Sequence, residues 1–252
     1  MTPYFEDDLI KIYCADCNDA FDFIENVSLI VTSPPYNHLG NRLPNNPTGL
    51  HGESNWVNDT KKNCYPDDMD ESEYQKLMID IFKKSKQCVN ENASLCINHK
   101  CRWRNKTLLH PIDLINQLKP DWNLRQEIIW QQPGSTTLNA KLFAPNDERI
   151  FWCTGGDKFK WNQPAASFLS VWNISHEKRQ SNNHPCPYPT ELVKRLVIGL
   201  TDENDIVLDP FMGSGTTLVA AKMLNRKAIG IEKEERFCEI AVDRLRQNVL
   251  NF

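Results

Sequence analysis

The stretch Asp205-Ile206-Val207-Leu208-Asp209-Pro210-Phe211-Met212-Gly213-Ser214-Gly215-Thr216-Thr217, with Lys227-Ala228-Ile229-Gly230-Ile231-Glu232 after it, decides the fold. An apolar strand runs into a glycine-containing turn, a helix from Leu218 to Leu224 brings the chain back, and a second strand ends on an acid. That unit pairs its strands in parallel. Gly213 and Gly215 permit a tight turn and close approach of a ligand to the backbone. The third glycine of a dinucleotide fingerprint is missing, because Thr216 and Thr217 stand there, and no Gly-Lys-Ser/Thr follows. Glu232 is placed to accept hydrogen bonds from two ribose hydroxyls. A ligand with a ribose and no pyrophosphate fits, and S-adenosylmethionine is one. A tight turn with no ligand is the other reading of the glycines.

Working outward, Leu9 to Cys14 alternates like a strand, and Val27 to Thr32 is apolar enough to be buried on both faces. Asp70 opens a helix with an apolar stripe of Tyr74, Leu77, Met78, Ile81 and Phe82, and Glu73 stands at capping-box spacing. Further strands are expected at Ala93–Asn98, within Trp122–Trp130 and at Arg149–Cys153. Further helices are expected at Ile112–Leu118, Pro189–Leu200 and Glu234–Leu250. This alternation predicts an α/β fold, a doubly wound and mostly parallel sheet. At 252 residues the chain is expected to be one domain in three functional parts. Residues 1–154 form a catalytic half with a long Asn-, Gly- and Pro-rich loop at about 38–65; 155–183 form a recognition segment; 184–252 form the cofactor half.

A second motif, Thr32-Ser33-Pro34-Pro35-Tyr36-Asn37, follows the buried strand directly. Taken alone it also fits a tight turn. Its chemistry suits an exocyclic amine, whose lone pair is delocalised into a ring and becomes nucleophilic only if the NH2 hydrogens are accepted by fixed oxygens. Ser33 Oγ and the Pro34 carbonyl are such acceptors. Pro34 and Pro35 stiffen the loop and carry no N–H. Tyr36 offers a flat face to a base flipped out of a duplex, and Asn37 is expected to brace the loop or touch DNA.

The two motifs together, with His184-Pro185-Cys186-Pro187-Tyr188-Pro189 upstream of the second, resemble those of bacterial amino-DNA methyltransferases, over most of the chain. Catalytic motif first and cofactor motif last is the order of that family's β group, a circular permutation of the Rossmann-like methyltransferase fold. The resemblance implies S-adenosyl-L-methionine as cofactor and no metal. It implies that Asp16 contacts the adenine amino group. Asp209, Phe211, Gly213, Gly215 and Thr216 would line the methionine and ribose, Glu232 would take the ribose hydroxyls, and His184 to Thr190 would pack at the methionine end. Ser at the first motif position resembles the N4-cytosine enzymes, whereas Asp or Asn is more usual in N6-adenine enzymes; both products stay open. Pro185-Cys186 and Glu25-Asn26-Val27 occur in the reverse of the order found in cytosine-C5 enzymes.

The resemblance makes double-stranded DNA the expected partner, with a homodimer and a cognate restriction endonuclease as further possibilities. The net charge of −4 is no obstacle, because phosphate binding needs a local basic face. Lys100, Arg102, Arg104 and Lys106 supply one, with Trp103 among them for stacking. Nine cysteines and an acidic N-terminal stretch without an apolar core suggest reduced thiols in a cytoplasmic, nucleoid-associated setting. A single Cys14-x-x-Cys17 lacks the second pair of a zinc site. No apolar run approaches the ~20 residues of a membrane span. The other classes weighed are a non-catalytic DNA-binding subunit, a protein or RNA methyltransferase (usually Asn-Pro-Pro-Tyr after the cofactor motif) and a nicotinamide oxidoreductase.

Overall fold

The computed structural model describes residues 1–37, 69–104, 107–133, 143, 145–175 and 188–247. The expected loop 38–65, His184 and Lys106 lie outside these residues, as do 176–183 of the recognition segment.

Among the described residues the strands are β1 (Phe5–Glu6), β2 (Ile10–Cys14), β3 (Val27–Thr32), β4 (Val89–His99), β5 (Arg102–Arg104), β6 (Thr107–Leu109), β7 (Asn123–Gln131), β8 (Asp147–Thr154), β9 (Val171–Asn173), β10 (Ile206–Asp209) and β11 (Lys227–Glu232). The α-helices are α1 (Cys17–Ala20), α2 (Glu71–Lys84), α3 (Ile112–Asn116), α4 (Thr190–Leu200), α5 (Thr216–Met223) and α6 (Glu235–Gln247). Nine strands form one sheet in the order β1-β2-β11-β10-β3-β4-β8-β7-β9. From β2 to β4 every neighbour is parallel; β8 then runs antiparallel to β4 and to β7.

Side-chain alternation explains why helices cover both faces. Leu29, Val31 and Val207 join the core under α4, α5 and α6, whereas Ile30, Leu208 and Ile231 join the core under α1, α2 and α3. Each layer is set by local sequence. Asp70 caps α2 by accepting from the Ser72 N–H at 2.9 Å, and Pro189 precedes α4 in extended backbone. The result is the expected doubly wound, mostly parallel sheet.

The described start of the 155–183 segment belongs to the sheet: β9 pairs in parallel with β7 and closes the sheet edge. Trp172 is buried there, and Trp161 stacks on Trp152 at 5.4 Å. These large aromatics gain more from the sheet and α4 than they would in a polar excursion.

The topology gathers the chemistry at one edge. The C-terminal ends of β2, β3, β4, β10 and β11 emerge together, and antiparallel β8 begins there. Open α/β sheets bind their ligands along this edge.

Candidate active site

The glycine turn is held by backbone conformation and by a buried carboxylate. Gly213 and Gly215 have φ of 52° and 80°. Both lie in the region where a side chain is strained. Gly215 precedes α5, and a Cβ there would lie 2.8 Å from the Ala241 Cβ. Its bareness therefore serves the contact of α5 with α6. Thr216 is also turned inward, with its hydroxyl accepting from Arg244 at 3.1 Å. Glu232 faces the turn: one oxygen accepts from Gly213 N at 3.0 Å, the other from Glu234 N at 2.9 Å. Burial raises its carboxyl pKa against the lowering effect of those N–H groups. Asp16 stands one strand away, capping α1 by accepting from Asn18 N at 3.0 Å, while Ala15 N reaches Glu232 O at 2.9 Å. A fixed pair of carboxylates flanking a bare glycine turn suits a ligand rich in hydroxyl and amino donors.

Asp209 does something else. Its side chain is 1% exposed and accepts from Thr32 Oγ1 at 2.8 Å, Phe211 N at 3.1 Å, Tyr188 OH at 3.1 Å and Thr217 Oγ1. Burial raises its pKa, and the four donors act in the opposite direction. Expected among the cofactor contacts, it instead ties the residue before Ser33 to the glycine turn, across 177 positions of sequence. The two motifs are thus pinned side by side.

On the other side of that pin, Ser33 Oγ lies 2.7 Å from Tyr36 OH. Tyr36 OH donates to Glu148 Oε2 at 3.0 Å and accepts from Asn98 Nδ2 at 2.7 Å, and Asn98 Nδ2 also donates to Glu148 Oε2 at 2.8 Å. The Tyr36 ring stacks on His99 at 4.7 Å and 25°. His99 is wholly buried, and burial first, then Arg102, pushes its pKa down to about 3, so the ring is neutral. Tyr74 OH donates to the Pro35 carbonyl at 2.8 Å and accepts from His99 Nε2 at 2.8 Å. Having given its one proton to Pro35, Tyr74 requires a protonated Nε2, and the Lys100 N–H reaches Nδ1 at 2.9 Å in agreement. The Pro35 carbonyl is therefore occupied, whereas that of Pro34 takes no hydrogen bond among the described residues.

Sequence reasoning gives Asn98, His99 and Glu148 no role in the site and reads Tyr74 only as part of an apolar helix stripe. The one available signal was that the buried strand Ala93–Asn98 ends on polar residues; Glu148 belongs to no motif.

The family model described as DNA methylase, for the N6/N4 class, matches residues 27–243. The chain belongs to the N6/N4 DNA methylase family. It is 30% identical to the type II methyltransferase M.BglII of Bacillus subtilis, over 92% of this chain and 68% of that one. Among solved structures it resembles the PvuII DNA methyltransferase (cytosine-N4-specific), with a TM-score of 0.72, 16% identity and coverage of 97% and 95% of the two chains. It also resembles the M1.HpyAVI–SAM complex, with a TM-score of 0.66, 23% identity and coverage of 94% and 100%. Among the described residues no helix is long and apolar enough to cross a membrane.

For a DNA methylase the basic loop is the expected phosphate contact, and the structure corrects this at Arg102 and Arg104, while Asn37 takes the bracing one of its two expected roles. Arg102 is 4% exposed and forms a two-pronged bond with Glu71 at 2.8 and 2.7 Å. Arg104 donates to the Met69 carbonyl at 2.5 Å and lies 3.6 Å from Glu71. Asn37, with φ 53°, is buried and donates to Met69 O and Glu71 Oε2 at 3.1 and 3.3 Å. The buried two-pronged pair with Glu71 takes up guanidinium donors that a phosphate would otherwise meet. These residues brace the catalytic loop against the start of α2. Lys100 keeps its place near the site, its ammonium 5.3 Å from the Tyr36 ring centre. Arg102→Ala removes the two-pronged partner of Glu71 and leaves Asn37, Gln75 and Arg104 beside the carboxylate, so unfolding free energy falls by ~2 kcal/mol. Denaturant titration reads that loss. The salt slope of DNA binding stays unchanged; a slope reduced by about one unit with full stability would restore the phosphate role.

Proposed function

We propose that this DNA methylase transfers a methyl group from S-adenosyl-L-methionine to the N4 amine of a cytosine flipped out of double-stranded DNA. When bound, the cofactor supplies an electrophilic sulfonium methyl. Glu232 takes its ribose hydroxyls and Asp16 its adenine amine, because both carboxylates stand at the strand ends with orientations fixed by backbone N–H groups. Phe211 and Gly213 line the same edge, and His184 and Thr190 are assigned to the methionine end. Ser33 Oγ and the Pro34 carbonyl accept the two hydrogens of the amine and turn its lone pair outward. The Tyr36 face opposite His99 receives the base, with the flexible Lys100 side chain moving aside. Recognition of the DNA sequence is assigned to residues 155–183.

The observation that carries this reading is the Thr32–Asp209 bond at 2.8 Å, which sets Ser33 beside the glycine turn. Cytosine is preferred because a serine at the head of the loop resembles the N4-cytosine enzymes, whereas Asp or Asn is more usual in N6-adenine enzymes. The test is to incubate purified protein with mixed plasmid DNA and labelled cofactor and to identify the product nucleoside by mass spectrometry. N4-methylcytosine is expected. N6-methyladenine would overturn the base, 5-methylcytosine would overturn amine chemistry, and absence of label on every DNA would favour a silent DNA-binding subunit.

A further inference from the structure

Ser33 cannot by itself carry charge to the reacting amine, yet a carboxylate lies two hydroxyls behind it. The geometry points to Glu148 as a positioning residue that terminates a proton relay, amine to Ser33 Oγ to Tyr36 OH to Glu148 Oε2. This assignment rests on the functional reading above, because it needs an amine hydrogen at Ser33.

Counting donors fixes the direction of the relay. Tyr36 OH has one hydrogen and two lone pairs. Asn98 Nδ2 fills one lone pair at 2.7 Å, since an amide nitrogen only donates. The Glu148 carboxylate accepts only, so the phenol hydrogen points at Oε2, 3.0 Å away. The second phenol lone pair then faces Ser33, 2.7 Å away, and the serine must donate into it. With its own hydrogen committed inward, Ser33 Oγ offers only lone pairs to the base. Glu148 thus forces Ser33 to be an acceptor, the polarity that an amine requires and a free hydroxyl does not guarantee.

Asn98 makes the arrangement rigid. Its amide bridges Tyr36 OH and Glu148 Oε2, the latter at 2.8 Å, while its own oxygen is buried with no hydrogen-bond partner among the described residues. A side chain that leaves an acceptor unmet is held by its two donor contacts. The sheet delivers the carboxylate: β8 runs antiparallel to β4, with Ile150 opposite Asn98 and Arg149 opposite His99, so Glu148 lies just beyond the end of the catalytic strands.

The same path disposes of a proton. Methylation of a neutral amine leaves one hydrogen too many on nitrogen. That proton passes to Ser33 Oγ as the serine gives its own to Tyr36 OH, and the tyrosine gives its own to Glu148. Both hydroxyls end as they began, one proton has left the base, and Glu148 ends as a neutral carboxylic acid that returns the proton to water. Burial, and Glu148 after it, raises the Tyr36 pKa well above that of an ordinary phenol, so the phenol passes protons without becoming a phenolate.

The test compares wild type, Glu148→Gln, Tyr36→Phe and the double variant in single-turnover methylation, with equilibrium binding of S-adenosylmethionine and DNA measured in parallel. Each single variant should lose about 100-fold in rate, with both dissociation constants within twofold of wild type. The double variant should be no slower than the slower single, since the groups act in series. The wild-type rate should fall along a curve in H2O–D2O mixtures and along a straight line in both single variants. A readout without cofactor accompanies these: the Tyr36 phenol, followed by ring-labelled NMR, should titrate at lower pH in Glu148→Gln. Multiplicative losses, a Glu148→Gln rate within twofold of wild type, or an unmoved Tyr36 titration would overturn the relay. A wild-type protein that methylates no DNA overturns the functional reading and the relay with it.

Discussion

Asp209→Ala is expected to lower the free energy of unfolding by about 4 kcal/mol and to abolish saturable binding of S-adenosylmethionine at micromolar protein. The carboxylate meets four donors, and three of them are hydroxyls from three separate segments. Thr32 and Thr217 are wholly buried, so neither reaches water when its acceptor is removed. The Phe211 N–H cannot turn at all. Each stranded group costs on the order of 1–3 kcal/mol, offset in part by relief of a carboxylate whose raised pKa records its own cost of burial. The functional loss follows from position. Without the carboxylate, Phe211 N–H and the Thr217 hydroxyl lose their shared acceptor, so the glycine turn that faces Glu232 is free to shift, and with it the loop beyond Thr32. Asp209→Asn keeps shape and one acceptor, and the hydroxyls of Thr217 and Tyr188 can invert to meet its NH2, so its cost should be nearer 1–2 kcal/mol. Urea unfolding and calorimetric binding check both variants. Wild-type stability in the alanine variant would mean that the four bonds carry no net weight.

What a sequence discloses depends on whether a residue's partner is close in the chain. Val27 to Thr32 declares itself as a central strand because all six residues are buried, and the turn after Asp209 because two glycines take left-handed backbone. Those are local facts, and the strand–turn–helix–strand order does the rest. The relay is different. Asn98 and His99 reach Tyr36 through the register of β3 against β4, and Glu148 through that of β4 against β8, which no spacing rule reports. The basic loop shows the converse limit: Arg102 and Arg104 have the charge of phosphate ligands, and charge alone does not reveal that Glu71 waits at the start of α2. Likewise β9 is too short to signal itself amid polar neighbours, although Trp172 makes it part of the sheet. Asp209 falls between these cases. Its placement at the strand end was legible, but its inward orientation was decided by Thr32, Thr217 and Tyr188, which arrive from elsewhere.

Tyr36→Ala is expected to cut the methylation rate by about 1,000-fold, with S-adenosylmethionine affinity within threefold of wild type. Two losses combine. Removing the phenol frees the Ser33 hydroxyl to rotate, so the oxygen that should accept from the amine can present its hydrogen instead. Removing the ring takes away the surface stacked on His99 and the platform assigned to the flipped base, worth on the order of 1–3 kcal/mol in nucleic-acid complexes. Cofactor affinity should survive because Tyr36 bonds to Ser33, Asn98 and Glu148, whereas the carboxylates of Asp16 and Glu232 are fixed by backbone groups of other segments. Tyr36→Phe separates the two losses: it keeps the ring and deletes the hydroxyl, so it should recover about tenfold of the rate lost in the alanine variant. Steady-state kinetics with cofactor and DNA varied in turn distinguishes the outcomes. A rise in the DNA Michaelis constant confined to the alanine variant would report stacking, and a fall in turnover shared by both would report the hydroxyl. A fully active alanine variant would remove Tyr36 from the chemistry and leave Ser33 and Pro34 to act alone.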